Sequence, residues 1–273
     1  MKTKFKLLCG AVALSLAGQA FAATDWVLTT AVATNPAGGF TTTAGGNNVI
    51  ATGWADTGTG NPMLLEQQTA PGNFAKYTGG LGINNLDGCA SGATCDVGDV
   101  ASTAPEHAID NNQRYEMVLL SFTQSVKLTN TKFGWTGTTD YSGGDSDITV
   151  LAYTGAAGGQ GISGKTWDTL GSGWTKIGNY NDLTTNENRA INAGGTYSSY
   201  WLIGAYNPLA GGDSGWTLGN DYVKLASVTG VVCTGGTGPN CGTPPGSVPE
   251  PGSLALVGFA LMGMMGLRKR RQA

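Results

Sequence analysis

The chain has 273 residues, of which 45 are glycine and only 12% are charged, and its formal net charge at pH 7 is −3. So few charged residues leave little material for solvent-exposed helices, and an acidic chain is a poor partner for nucleic acid or for an anionic membrane. The composition therefore favours an all-β protein and argues against a nucleic-acid-binding role.

The N-terminal 22 residues have the three regions of a secretory signal peptide. Three lysines between positions 2 and 6 precede an apolar run over 7–18, and Ala20 and Ala22 supply the small residues that signal peptidase requires. Cleavage is therefore predicted after Ala22, so that the mature chain begins at Ala23. The sequence predicts a signal helix over 1–22, export through the Sec translocon and processing by signal peptidase.

Residues 23–233 are predicted to form the exported domain, and their pattern favours β structure. Short runs of β-branched and aromatic residues recur between clusters of Gly, Asn, Asp and Ser, as in β-sandwich proteins. The predicted strands are Trp26–Ala31, Asn48–Gly53, Tyr115–Phe122, Val126–Trp135, Asp147–Tyr153, Trp174–Tyr180, Tyr200–Tyr206 and Tyr222–Val232. The predicted fold class is all-β, as a single antiparallel β-sandwich of jelly-roll type.

Three segments depart from this general pattern. In the strand Asp147–Tyr153, apolar residues occupy both alternating faces, so this strand is predicted to be central in its sheet. By contrast, Gly53–Pro105 has no period-two pattern, which predicts a long irregular segment. Residues 234–247 are rich in Gly, Thr and Pro and are predicted to form a linker.

Four cysteines fall in the exported part of the chain, in two local pairs. Cys89 and Cys95 have five residues between them, and Cys233 and Cys241 have seven. Three pairings are possible, but closing a short loop costs the least entropy and the exported compartment is oxidising. Two small disulfide loops are therefore predicted. The alternative is a metal site, although neither spacing is that of a zinc knuckle.

Asp140, Asp145 and Asp147 cluster where a glycine-rich segment enters a predicted strand. Carboxylate oxygens at such a position can bind Ca²⁺, although the alternating acids of an EF-hand are absent. The alternative is that each aspartate makes an Asx turn with its own backbone. No other metal and no cofactor is predicted.

Two patterns could carry catalysis, and neither is specific. His107 and the GDSG segment Gly212–Gly215 have the chain order of a chymotrypsin-like triad, but the flanking residues differ from those of that family. A glycosidase needs two carboxylates at a defined separation. The carboxylates that could supply such a pair are Glu106, Asp110, Glu116 and Glu187. Nothing in their spacing brings two of them together, so no catalytic residue is predicted and the chain is expected not to be an enzyme.

Tryptophan rings can stack on sugars, which makes carbohydrate binding an alternative. Trp135, Trp174, Trp201 and Trp216 each adjoin glycine or another aromatic residue near a predicted strand end. In a sandwich of this size, most such rings are expected to fill the core.

The last 26 residues differ in composition from the rest. Val248, Pro249, Glu250 and Pro251 precede an apolar run, and Arg268, Lys269, Arg270 and Arg271 follow it. The run Leu254–Leu267 would be about 21 Å long as a helix, so it spans a bilayer core of roughly 30 Å only marginally. A short transmembrane helix over 253–267 is predicted, with its basic end held in the cytoplasm.

This order of VPEP, hydrophobic helix and arginine-rich end resembles the PEP-CTERM sorting signal of Gram-negative bacteria that make extracellular polysaccharide. The resemblance covers 248–273 and implies recognition by an exosortase, an inner-membrane cysteine protease that removes the tail after transient anchoring. HAIDN (107–111), YEMVLLSF (115–122), DSDITVLAYTG (145–155) and SSYWLIGAYNP (198–208) further resemble the exosortase-dependent surface proteins, a PEP-CTERM subgroup. That second resemblance implies residence at the cell surface or in the matrix, without catalytic residues.

Between the two terminal signals, residues 23–247 carry eight basic and 17 acidic side chains, a net charge of −9. The sequence predicts a non-enzymatic exported protein of the cell surface or exopolysaccharide matrix, with a structural or adhesive role. Its predicted partners are the Sec translocon, signal peptidase, the exosortase and extracellular polysaccharide. The alternatives are a secreted carbohydrate-binding module and a polysaccharide-processing hydrolase that uses two carboxylates.

Overall fold

A computed structural model describes residues 22–34, 39–57, 63–70, 72–85, 105, 107–137, 145–213, 215–234 and 241. Within these ranges the fold is all-β, with fourteen strands, two short 3-10 turns and no α-helix. The strands are β1 (Thr24–Val27), β2 (Val32–Thr34), β3 (Gly39–Ala44), β4 (Asn47–Thr57), β5 (Leu64–Gln67), β6 (Phe74–Tyr77), β7 (Gly80–Ile83), β8 (Ile109–Asp110), β9 (Glu116–Thr136), β10 (Ile148–Tyr153), β11 (Trp174–Tyr180), β12 (Asn188–Ala190), β13 (Ser198–Ala205) and β14 (Tyr222–Val232). The 3-10 turns span Leu28–Thr30 and Trp167–Thr169.

Hydrogen bonds join all of these strands into one large antiparallel sheet. One path through the sheet runs β11–β10–β13–β9–β14–β7–β6, and the remaining strands attach through β3, β4, β9 or β14. The prediction of an all-β antiparallel fold is therefore confirmed.

The 21-residue strand β9 changes partners along its length. Its first half, Glu116–Phe122, lies between β4 and β13. Its second half, Val126–Thr136, pairs with β14 on one side and β12 on the other. The buried side chain of Asn47 binds the residues that join the two halves. Its Oδ1 accepts hydrogen bonds from Thr123 Oγ1 (2.7 Å) and from the backbone N–H of Gln124 (3.0 Å). Two strands were predicted here, and the structure has one.

Two hydrophobic clusters pack against the sheet. The inner core takes side chains from strands that pair with either half of β9, including Trp26 of β1 and Trp201 of β13, both fully buried. The outer cluster lies on the opposite face of the first half, where Met117 packs with residues such as Trp167 from the connection between β10 and β11. The sheet is therefore covered on both faces around the first half of β9.

Strand β10 is central, as predicted, because it lies between β11 and β13 and all six of its residues are buried. Ile148, Val150 and Ala152 belong to the inner core, while Leu151 and Tyr153 belong to the outer cluster. The alternation of two apolar sets along one strand thus corresponds to burial on both faces.

The prediction of a long irregular segment over Gly53–Pro105 is wrong for the residues described there. Strand β4 continues to Thr57, and β5, β6 and β7 follow it. These strands are only four residues long, and glycines in β7 interrupt the side-chain alternation on which the prediction depended. Gly82 is required by packing, because a Cβ there would lie 2.1 Å from the backbone oxygen of His107.

The first predicted strand, Trp26–Ala31, is also corrected. β1 ends at Val27, and Leu28–Thr30 forms a 3-10 turn. The turn is closed by the Thr30 hydroxyl, which donates a hydrogen bond to the backbone oxygen of Val27 (3.1 Å). Leu28 is fully buried in this turn, so the segment contributes to the core although its backbone is not a strand.

The disulfide between Cys233 and Cys241 is present, directly after β14. Cys89 and Cys95 lie outside the described residues, as do the signal segment through residue 21, the linker 235–240 and 242–247, and the whole of 248–273. Within the described ranges, no helix has the length and apolarity needed to cross a membrane.

Candidate functional site

Three carboxylates converge at one end of β10. Asp145 and Asp147 lie just before that strand, and Asp182 lies just after β11, which pairs with it. One side-chain oxygen from each of the three can be chosen so that all lie within 4.8 Å of one another. We call Asp145, Asp147 and Asp182 the carboxylate cluster.

Hydrogen bonds fix the members of the carboxylate cluster. The backbone N–H of Asp182 donates to Asp147 Oδ1 (2.8 Å). Asp145 Oδ2 accepts from Thr217 Oγ1 (2.8 Å) and from Asn220 Nδ2 (3.2 Å). The segment before β14 therefore closes over the start of β10.

A fourth aspartate supports the carboxylate cluster from within the protein. Asp221 is fully buried, and its Oδ1 accepts the backbone N–H of Asp147 at 2.7 Å. Its Oδ2 accepts from Asn111 Nδ2 at 2.6 Å, and Asn111 Oδ1 accepts the backbone N–H of Asp221 at 3.1 Å. Asp221 thus ties β14 to β10.

Burial changes the acidity of two of these groups. Desolvation raises the pKa of Asp147 to about 6, and the nearby carboxylates of Asp145 and Asp182 add to the increase. Desolvation also raises the pKa of Asp221 to about 7, with the Asp147 carboxylate contributing. Both groups bind a proton more tightly in the folded protein than in the unfolded chain.

The carboxylate cluster offers the hard oxygen ligands that Ca²⁺ binds at 2.3–2.6 Å, and two oxygens on one such ion lie up to about 5 Å apart. The structure brings together two of the three predicted Ca²⁺ ligands, Asp145 and Asp147, whereas Asp140 lies outside the described residues. Asp182 was missed because it is 35 residues from Asp147 in sequence. Asp182 could have been predicted from the pairing of β10 with β11. Because Ile148 lies opposite Tyr180, residues just before β10 lie beside residues just after β11.

His107 and Asp213, which belong to the protease-like pattern of the sequence, contact residues outside that pattern. The His107 ring packs against Tyr77 with ring centroids 4.4 Å apart. Asp213 instead binds Lys176 Nζ (3.0 Å) and Asn179 Nδ2 (2.8 Å) with its two carboxylate oxygens. Ser214 lies outside the described residues.

Two of the carboxylates that could supply a glycosidase pair, Glu116 and Glu187, already bind other groups of the protein. Asp110 and Glu116 are each 1% exposed, and Glu116 Oε2 accepts the backbone N–H of Asp110 at 3.2 Å. Glu187 pairs with Arg189 at 2.9 Å and accepts hydrogen bonds from Thr184. Glu106 lies outside the described residues.

Most tryptophan rings fill the protein interior, as predicted. Trp201 is fully buried and Trp174 is 9% exposed, so neither presents a free ring face. Trp135 is half-buried, and Lys224 Nζ lies over its ring, 4.5 Å from the centroid. Trp216 is also half-buried and stacks on Tyr206 at 4.9 Å.

The model of the PEP-CTERM protein-sorting motif matches residues 247–271. This match confirms that the C-terminal segment resembles a PEP-CTERM sorting signal. No curated protein and no solved structure matches the chain.

Proposed function

Because the chain is a PEP-CTERM protein, we propose that it is a non-enzymatic component of the cell surface or exopolysaccharide matrix, with a structural or adhesive role. The sorting motif at 247–271 carries this proposal, since it makes the chain an exported protein that an exosortase recognises after transient anchoring in the membrane. The four segments between 107 and 208 that resemble the exosortase-dependent surface proteins support the same residence.

We infer further that the single sheet is folded into a β-sandwich. Trp26 lies on β1, which pairs with β14, and Trp201 lies on β13, which pairs with the first half of β9. Both side chains belong to the same buried cluster. Side chains from two differently paired parts of the sheet therefore meet in one core, which supports two packed layers.

The contacts of the carboxylates support a non-enzymatic role. A glycosidase pair must reach its substrate with both carboxyl groups. Asp110 and Glu116 are nearly inaccessible, and Glu187 is bound to Arg189 and Thr184. The alternative of a carbohydrate-binding module needs only a surface that offers hydrogen bonds, and it is therefore the stronger of the two alternatives.

The proposed residence is tested by fractionating the cells that make the protein beside the same cells without their exosortase. We expect the protein in the washed surface and matrix fraction of the first, and in the membrane fraction of the second. An identical distribution in the two strains would contradict the proposal. The purified protein should also release no reducing ends from matrix polysaccharide, whereas a steady release would favour the hydrolase.

A further inference from the structure

A polar groove of about 540 Å³ crosses the outer face of the sheet beside the second half of β9. Its volume falls in the range of about 300–1,000 Å³ that is usual for small-ligand sites. The residues that line this polar groove are Asp25, Val27, Thr29, Gly79, Lys132, Gly134, Asn186, Asn188, Ala226, Ser227 and Thr229. They come from β1, β9, β12, β14, the segments that follow β1 and precede β12, and the turn between β6 and β7.

Strand register places four of these residues in one row across four adjacent strands. Val27 lies opposite Ser227, Ser227 opposite Lys132, and Lys132 opposite Asn188. Neighbouring strands are about 4.8 Å apart, so the row extends for roughly 14 Å. A row of this kind suits an extended ligand that lies across the strands.

The next row in register shows which way the first row faces. Trp26 lies opposite Val228, and Val228 lies opposite Thr131. All three are buried, and Trp26 and Val228 belong to the inner core. Because successive side chains of a strand point to opposite faces, the row from Val27 to Asn188 faces outward.

The polar side chains in the groove have unused hydrogen-bonding capacity. Within the described ranges, the side chains of Thr29, Lys132, Asn186, Asn188 and Ser227 make no hydrogen bond or ion pair with the protein. Ser227 as a whole is only 7% exposed, and its hydroxyl is not among the fully buried polar atoms that lack a partner, so it remains accessible at the bottom of the groove. The floor of the groove therefore has a hydroxyl that a ligand could satisfy.

The charge and polarity of the lining restrict the ligand. Asp25 and Lys132 are its two charged residues, so the lining has no net charge, and it has no Trp, Tyr or Arg of the kind that anchor protein interfaces. Its hydroxyl, amide, ammonium and carboxylate groups both donate and accept. A ligand covered with hydroxyl groups matches this lining, whereas the net charge of −9 over 23–247 opposes a polyanion.

We propose that the polar groove binds a segment of neutral polysaccharide, with Ser227, Lys132 and Asn188 as its central hydrogen-bonding row. The inference rests on the proposed surface or matrix function and names the site at which the protein would contact polysaccharide. Gly79 and Gly134 pack against each other beside this row, since a Cβ on Gly134 would lie 2.3 Å from the backbone oxygen of Gly79.

The test uses the exported protein purified from the cells, titrated calorimetrically with oligosaccharides cut from the exopolysaccharide of the same cells. The oligosaccharides are separated into a neutral and an acidic fraction. We expect saturable binding of the neutral fraction, weakened at least about tenfold in the double variant Lys132→Met/Asn188→Ala, since two hydrogen bonds are lost. Both replaced side chains lie at the surface or are half-buried, so the variant should keep its fold, as checked by circular dichroism and thermal melting.

The matched control is Lys127→Met/Asn112→Ala, which makes the same chemical changes outside the polar groove and should bind like the unmodified protein. Equal binding by both double variants would overturn the proposal, as would binding of the acidic fraction alone or of neither fraction. If the protein still resides in the matrix in those cases, the groove assignment fails and the proposed function stands. If the protein is absent from the surface and the matrix, the proposed function fails independently.

Discussion

The two halves of β9 belong to one strand but have different surroundings. Along the first half, Glu116–Phe122, five of seven residues are buried, and apolar clusters cover both faces. Along the second half, Val126–Thr136, buried residues alternate with partly exposed ones, and the outer face is polar. One strand thus stabilises the fold at one end and presents a surface at the other.

The difference arises from what covers the outer face. The connection between β10 and β11 places Ile162, Trp167 and Leu170 over the first half, and the indole N–H of Trp167 donates to the backbone oxygen of Tyr115 (3.1 Å). Over the second half, the turn between β6 and β7 places the backbone of Gly79 against Gly134, and the outer cluster includes no described residue of this half. A surface suited to ligands therefore remains where the protein supplies no apolar cover.

The largest expected difference is in the free energy of unfolding, between substitutions on the outer face of the two halves of β9. Met117→Ala should lower the free energy of unfolding by about 2–5 kcal/mol, because Met117 is fully buried in the outer cluster. Lys132→Ala should change it by no more than about 0.5 kcal/mol, since Lys132 is half-buried in the polar groove. Urea unfolding of both variants measures the contrast, and equal losses would show that the halves do not differ as described.

A smaller effect is expected from the disulfide that follows β14. Replacing Cys233 and Cys241 by serine should cost about 2 kcal/mol, because the closed loop is short. The backbone N–H of Cys233 donates to the backbone oxygen of Ser125 (2.8 Å), between the two halves of β9. Amide exchange should therefore accelerate first at the end of β14. If β10 amides accelerated to the same degree, the disulfide would be stabilising the whole sheet rather than its second half.

An effect of pH on stability is expected from the aspartates that join β10 to β14. Because the pKa values of Asp147 and Asp221 are raised to about 6 and about 7, the folded protein binds more protons than the unfolded chain between about pH 4 and pH 7. Stability should therefore fall as pH rises through this window, by on the order of a few kcal/mol for the two groups together. Melting temperatures at pH 5 and pH 7.5 measure it, and Asp147→Asn should reduce the difference.

Added Ca²⁺ separates a simple acid cluster from a cation site. A bound cation favours ionised carboxylates, so about 1 mM Ca²⁺ should raise the melting temperature at pH 7.5 if the carboxylate cluster holds the ion. Asp147→Asn and excess EDTA should each remove that increase. Asp25→Asn, a carboxylate outside the cluster, serves as the control. No change with Ca²⁺ would leave Asp145, Asp147 and Asp182 as a purely structural hydrogen-bonded group.

Much of the sheet could be predicted from the sequence, because long strands buried on one or both faces carry a strong periodic signal. Strands β10, β11, β13 and β14 fall close to their predicted bounds. The short strands β5 to β7 could not be found, because four residues are too few to show a reliable period and β7 also contains two glycines. The hydrogen bonds of Asn47 that make β9 continuous involve residues 76 and 77 positions away.

The candidate sites were less predictable than the fold. Asp145 and Asp147 are close in sequence and were found, whereas Asp182 reaches them only through the pairing of β10 with β11. The polar groove was missed altogether. Its central row joins Val27, Ser227, Lys132 and Asn188 across four strands, and only the register reveals that they are neighbours.

The most direct test of the central claim is the C-terminus of the protein recovered from the cell surface. Intact-mass and peptide mass spectrometry should find a chain that lacks the basic segment 268–271, because an exosortase acts at the sorting motif matched over 247–271. Surface-exposed protein that still carried Arg268, Lys269, Arg270 and Arg271 would contradict the account.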